Sequence, residues 1–195
     1  MAPPRKHDTD DILDAARTLV LRDGPRAASV AAIAEESGAP VGTLYHRFGN
    51  RDGVLTAAWL RALERFQDRA LAATTQSDPL DAAVALAMTQ VRFAREEADD
   101  VRLLLAIRRR DLLDAAPDDA FRDRLATMNA PLQAALARLT RALRGRADAR
   151  SLDAVVRAVV DLPNAAVRRH LREGGRLPGW LERDVADAVR TLLLS

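Results

Sequence analysis

The chain has 195 residues, 48% of them hydrophobic and 30% charged, a balance that supports a packed core and excludes a disordered segment. It holds no cysteine, which rules out a disulfide scaffold, a thiolate metal site and a cysteine nucleophile, and fits a reducing compartment. The net charge is only +2, and residues 1–52 carry seven Arg or Lys against eight Asp or Glu, so composition alone does not announce a partner of nucleic acid. The longest apolar runs, Leu103 to Ile107 and Leu192 to Leu194, are too short to cross a bilayer, and the N-terminus lacks the apolar core of a signal peptide. A cytoplasmic protein with no membrane partner is expected.

Almost every segment reads at the helical period, and no β-branched alternation is sustained over strand length. The fold class expected is all-α, about nine helices in two parts. Asp8 to Asp23 places Ile12, Leu13, Ala16, Leu19 and Val20 on one face and stops at Gly24-Pro25. Ser29 is a candidate N-cap for a short second helix with Val30, Ile33 and Ala34 inward, ending at Gly38. A third helix is expected over about Pro40 to Arg47, and a long fourth from a cap at Asn50 to about Ala73. Longer helices follow, at about Leu80 to Glu97, Asp99 to Leu113, Asp118 to Arg144, Ser151 to Glu173 and Leu181 to Leu194, with Pro117, Gly145, Gly174-Gly175 and Pro178-Gly179 at the joints. Pro131 and Pro163 fall inside two of these and are expected to kink or interrupt them, because proline lacks an amide donor and collides with the preceding turn. The pattern divides the chain into a three-helix head, residues 1–52, and a larger bundle, residues 53–195.

The informative stretch is SVAAIAEESGAPVGTLYHRFGNR, Ser29 to Arg51. Two short helices joined by a glycine-containing turn have the spacing of a helix-turn-helix, in which the first helix props the second into a major groove. Leu44 and Phe48, four apart, face inward together, which leaves Gly42, Thr43, Tyr45, His46 and Arg47 outward. A polar, aromatic and basic face of this kind is what phosphates and base edges require. The plainer alternative is that Tyr45 belongs to the core with Phe48, and that His46, Arg47 and Arg51 are solvated surface groups; only their joint placement favours a DNA face.

The run ILDAARTLVLRDG, then SVAAIAEESGAPVGTLYHRF, then a long helix resembles the TetR family of bacterial transcriptional repressors over about Asp10 to Phe66. The resemblance implies a homodimer that binds a double-stranded operator through its helix-turn-helix. It also implies a C-terminal helical domain that holds a small-molecule inducer and the dimer interface. Residue by residue, it implies phosphate contact at Ser29, backbone or base contact at Thr43 and Tyr45, groove contact at His46 and Arg47, and a phosphate grip at Arg51. Gly42 allows close approach. The chain departs from the family pattern at Pro40-Val41 and at Ala31 and Ala32, so direct readout falls to His46, Arg47 and the Val41 methyls, with DNA shape supplying the rest.

In the C-terminal part, Trp59, Phe66, Met88, Arg92, Phe93, Leu104, Phe121 and Met128 are the candidate lining of an apolar pocket, with Gln90 as a further polar anchor; ordinary core is the alternative for each. The apolar stripes of the last two helices, including Val155, Val159, Val167, Leu171, Leu181, Val185 and Leu192, are candidates for a two-fold seam, with monomer core as the alternative. Basic groups at Arg5-Lys6-His7 and Arg108 to Arg110 are a candidate groove-reaching arm and a helix-end charge run. Glu96, Glu97, Asp99 and Asp100 read as helix-end carboxylates rather than a cation site. No zinc helix, nucleophile elbow or phosphate loop occurs, so no enzyme and no cofactor is expected. The alternative function is a helical ligand-binding or interaction protein that does not bind DNA.

Overall fold

The computed structural model describes residues 8–107, 119–172 and 176–194. The Arg5-Lys6-His7 arm, the Arg108 to Arg110 run and the end of the expected sixth helix lie outside the described residues. Among those described every regular element is helical: α1 (Thr9–Asp23), α2 (Val30–Ser37), α3 (Val41–Phe48), α4 (Arg51–Ala73), α5 (Pro79–Glu96), α6 (Ala98–Ala106), α7 (Asp119–Arg144), α8 (Ala149–Val156), a π-turn (Arg157–Asp161), α9 (Leu162–Arg172) and α10 (Leu181–Leu194). Because α8, the π-turn and α9 follow one another without a break, they correspond to the single eighth helix read from the sequence.

Contacts divide the chain into two compact units, one of residues 1–63 and 99–118, the other of residues 64–98 and 119–195. The first is built on α1 to α3, the first half of α4, and α6. Its boundaries are set by local chemistry. Asp8 caps α1 by accepting from the Asp10 amide at 3.2 Å, and Ser29 caps α2 by accepting from the Ala32 amide at 3.1 Å. Gly38 ends α2 with φ +68, a left-handed conformation that only glycine adopts without cost. The core is made of Ile12, Ala16, Leu19 and Val20 from α1, Ile33 from α2, Leu44 from α3, Val54 and Leu55 from α4, and Leu103 from α6.

The second unit is organised around α5. Ten of its residues, from Ala82 to Ala94, are buried, the mark of a helix enclosed on most sides. Small residues at 82, 83, 87 and 94 let its neighbours approach closely. Pro131 stays within α7, which continues through it; the residue is exposed, so the Thr127 carbonyl left without its amide partner faces the solvent side. Pro163 has a different consequence. It is buried, its missing amide would have served the Val159 carbonyl, and the π-turn immediately precedes it. Gln90 of α5 closes the gap, its Nε2 donating to the carbonyls of Val159 at 3.2 Å and Val160 at 3.1 Å.

Candidate nucleic-acid interface

The geometry of α3 starts from one buried side chain. Leu44 is 1% exposed and anchors the helix in the first unit's core, with Phe48 half-buried one turn on. The opposite side carries Val41, Gly42, Tyr45, His46 and Arg47, all exposed, Tyr45 to 53%. Thr43 is half-buried at the edge, its amide donating to the Pro40 carbonyl at 2.9 Å. Arg47 is steadied by donation to Thr9 Oγ1 at 3.1 Å, which brings its guanidinium to the start of α1. Tyr45 therefore belongs to the outward face and not to the core.

Two glycines and a cap fix how α3 meets α4. Gly49 turns the chain with φ +76, and Asn50 Oδ1 accepts from the Gly53 amide at 2.8 Å to start α4. A Cβ on Gly53 would lie 1.9 Å from the Phe48 carbonyl oxygen, so no side chain fits there without moving backbone. Arg51 is directed inward rather than outward. It donates to the Ala28 carbonyl at 3.0 Å and to that of Pro25, and pairs with Asp52 at 2.6 Å. In this structure its guanidinium staples the α1–α2 loop, and a phosphate contact from it requires exchange of these partners. Ser29 is exposed, but its hydroxyl oxygen is already the cap of α2.

The net negative count of residues 1–52 does not describe the face that α3 presents. Asp10 and Asp14 are held by Arg61 at 2.7 and 2.5 Å, Asp14 also by Arg17 at 3.1 Å, and Asp23 and Glu36 by Arg22 at 2.9 and 3.2 Å. Asp52 is engaged by Arg51. No carboxylate lies on α3 itself, whose only ionisable groups are Tyr45, His46 and Arg47. The carboxylates read as helix-end groups are likewise paired: Glu96 and Glu97 with Arg69 at 2.7 and 2.8 Å, and Asp99 with Arg102 at 3.3 Å. Asp100 is 1% exposed and pairs with Arg17, whose own burial opposes the charge while the hydrogen bond and field of Asp100 hold the guanidinium above its ordinary pKa. Among the described residues no group of acids and histidines could hold a metal ion.

The pocket candidates fall in different places. Trp59 and Leu104 belong to the first unit; Phe66, Met88, Arg92, Phe93, Phe121 and Met128 belong to the second. Phe66 meets Phe93 edge-on with centroids 5.5 Å apart, and Arg69 lies 5.1 Å over the Phe93 ring. Met88 and Arg92 line an open groove of about 490 Å³ between α5 and α10, together with Val84, Glu182, Arg183 and Arg190. Its rim is charged, unlike the apolar hole expected, and Gln90 is engaged by the π-turn instead of reaching a ligand. Leu104, Phe121 and Met128 are half-buried. Trp59 is 8% exposed, and its Nε1 is, among the described residues, the buried side-chain polar atom without a partner.

For the two-fold seam the structure imposes a correction. Val155, Val159, Val167, Leu181 and Val185 are buried within the chain's own second unit, because α7 packs against α8, and α5 against α9, the π-turn and α10, taking up their apolar stripes. Leu171 is half-buried and Leu192 is exposed. Apolar positions left toward the surface include Leu152, Val156, Val160, Leu162, Leu171, Ala188, Leu192 and Leu194.

A buried anchor beneath an exposed aromatic and basic face, carried on the second of two short helices, is the arrangement of a helix-turn-helix. Comparison with known proteins makes this specific. Residues 12–58 match the model of the bacterial regulatory proteins of the tetR family. No curated sequence matches the chain. Among solved structures it is similar to the TetR-family regulator PfmR from Thermus thermophilus, at 21% identity and TM-score 0.72 over 95% of each chain. A TetR-family regulator from Marinobacter aquaeolei gives 16% identity and TM-score 0.73 over 94% of each chain. The fatty acid degradation regulator FadR from Bacillus halodurans gives 16% identity and TM-score 0.69 over 99% of this chain and 96% of that one. At such identities the likeness to these structures is one of fold. Residues 12–58 thus match the tetR family's model, and the chain as a whole has the fold of the TetR-family regulators it resembles. No described helix is long and apolar enough to cross a membrane.

Proposed function

We propose that the protein is a ligand-responsive repressor that binds a palindromic operator as a homodimer in the cytoplasm and is released by a small apolar or amphipathic inducer. Residues 1–52 serve DNA binding, and residues 53–195 serve the ligand and the dimer. The observation that carries the reading is the outward face of α3, where Val41, Gly42, Tyr45, His46 and Arg47 stand clear of the fold while Leu44 holds the helix from beneath. Tyr45 meets the DNA backbone, and His46 and Arg47 with the Val41 methyls read the groove. Thr43 and Ser29 flank this face and add phosphate contacts. Two such helices enter successive major grooves when their centres lie about 34–36 Å apart.

Dimerisation is assigned to the surface side of α8, the π-turn and α10, through Leu152, Val156, Val160, Ala188 and Leu192, since the inner stripes are already covered. The inducer reading is supported by the unpartnered Trp59 indole, a buried donor that a ligand with a hydrogen-bond acceptor would satisfy. An inducer acts only through its preference for the conformation that fits the operator badly.

The test is a selection of bound sequences from random duplex DNA, followed by affinity measurements on the recovered site over a range of salt. The reading expects an inverted repeat and a steep fall of affinity with salt, because phosphate contacts release counterions. Recovery of no preferred sequence, with flat salt dependence, would return the chain to the class of helical binding proteins that do not act on DNA.

A further inference from the structure

The arginines of the first unit are held in two different ways. Arg17 pairs with Asp14 and Asp100, Arg22 with Asp23 and Glu36, Arg51 with Asp52, and Arg61 with Asp10 and Asp14. Each of these charges is compensated within the fold. Arg47, on the outward side of α3, is held by a neutral group instead: it donates to Thr9 Oγ1 at 3.1 Å, and it makes no ion pair among the described residues. A hydroxyl fixes a guanidinium without cancelling its charge, and one such bond leaves most of the five guanidinium donors available to another acceptor.

Thr9 is a firm point of attachment. It is the first residue of α1, and the Asp8 carboxylate just before it caps the helix through the Asp10 amide at 3.2 Å. Arg61 of α4 binds the same turn, donating to the Asp10 carbonyl at 3.2 Å and to the Asp10 carboxylate at 2.7 Å. Ile12 and Leu13, one turn on, are buried in the core that also holds Leu44 of α3. The carboxylates on either side of Thr9 are thereby directed elsewhere, Asp8 to an amide and Asp10 to Arg61. Because Asp8 supplies the cap, the Thr9 hydroxyl has no part in starting α1.

We propose that Thr9 is a positioning residue for DNA recognition: its hydroxyl holds the Arg47 side chain toward the start of α1 with its charge intact, and so sets which base pair Arg47 reads. The inference rests on the repressor reading, in which Arg47 enters the groove. A long arginine that is already restrained loses less rotamer freedom when it is immobilised on DNA, which is the advantage of fixing it beforehand. A direct phosphate contact from Thr9 and a purely structural role at the helix start are the competing assignments, and paired substitutions separate them from positioning.

The experiment uses the full-length protein and the duplex recovered with it by selection from random DNA. Thr9→Val removes the hydroxyl at nearly constant shape and should lower affinity for that duplex about three- to tenfold, the range of one neutral hydrogen bond, with the melting temperature unchanged. Thr9→Ser keeps the hydroxyl and should restore the parent affinity. In an Arg47→Ala background Thr9→Val should have no further effect, since a positioning residue acts only through the side chain it positions. Repeating the selection with Thr9→Val should relax the preference at the same base pair that Arg47→Ala relaxes. Without DNA, NMR relaxation of the Arg47 side chain should show faster motion in Thr9→Val than in the parent. An undiminished loss in the Arg47→Ala background overturns the proposal by giving Thr9 its own contact with DNA. Full affinity in Thr9→Val, a fall in melting temperature that accounts for the loss, or equal Arg47 mobility in the two proteins overturns it too. Recovery of no preferred duplex by the parent protein overturns the repressor reading itself, and is distinct from these outcomes, which are read on a recovered operator or without DNA.

Discussion

The two units use their helices in opposite ways. In α3 only Leu44 is buried and the other side chains turn outward or lie at the edge; in α5 ten residues are buried and the helix works almost wholly as core. A helix that contributes so little to its own unit's interior is there for what it displays, whereas a helix buried on most sides is there for what it holds. Substitutions should therefore separate cleanly. Those on α3 should change affinity for DNA and leave stability nearly untouched, and those at the polar contacts of α5 should do the reverse.

The largest expected effect lies in the first unit but beneath its surface. Asp100→Ala removes the buried partner of the half-buried Arg17, which keeps only Asp14, and should destabilise by about 2–3 kcal/mol, read as a fall in the denaturation midpoint. A loss below about 1 kcal/mol would show that the pair contributes little to that unit's stability. Next, Gln90→Leu removes the side chain that serves the Val159 and Val160 carbonyls and should cost about 1–3 kcal/mol, with operator affinity unchanged. If DNA binding weakened instead, the division of labour between α3 and α5 would fail. Tyr45→Ala and Arg47→Ala should each cost about 1–3 kcal/mol of operator affinity, while melting temperatures stay close to the parent. The smallest effect is at the start of α8. The Asp148 carboxyl is held below its ordinary range, first by the Ser151 amide, which donates to it at 2.8 Å, and then by the Ser151 hydroxyl. Its contribution is therefore present above the ordinary carboxylate range and disappears as pH falls through the lowered value. A pH series of melting curves should show Asp148→Ala diverging from the parent at neutral pH and converging with it in strong acid.

The helices were readable because apolar spacing, Ser29, Asn50, Gly24 and Gly38 act within a turn or two of their own positions. The same locality made the outward side of α3 readable: Leu44 and Phe48 define its inside, and everything else follows from the helical period. The misreadings share a physical cause, which is distance along the chain. Arg51 reaches back to the Pro25 and Ala28 carbonyls, and Gln90 caps a turn near Val160. No periodicity encodes such pairings. Pro163 announced an interruption, but whether the freed carbonyls would meet a ligand, a water or a neighbouring amide depended on which helix lay alongside. The stripes of α8 to α10 misled for a related reason: an apolar face says that something covers it, and α5 and α7 of the same chain do so before any partner can. Gly53, five residues from the Phe48 carbonyl it accommodates, is a local constraint with a local signal, a glycine inside the first turn of a long helix where helix propensity argues against it.

That glycine has a mechanical consequence. With the Phe48 carbonyl seated where a Cβ would otherwise stand, the end of α3 and the beginning of α4 touch backbone to backbone, leaving no side-chain cushion to absorb relative movement. A side chain at Gly53 would wedge that joint open, so the close seating of α3 on the first turn of α4 depends on this glycine.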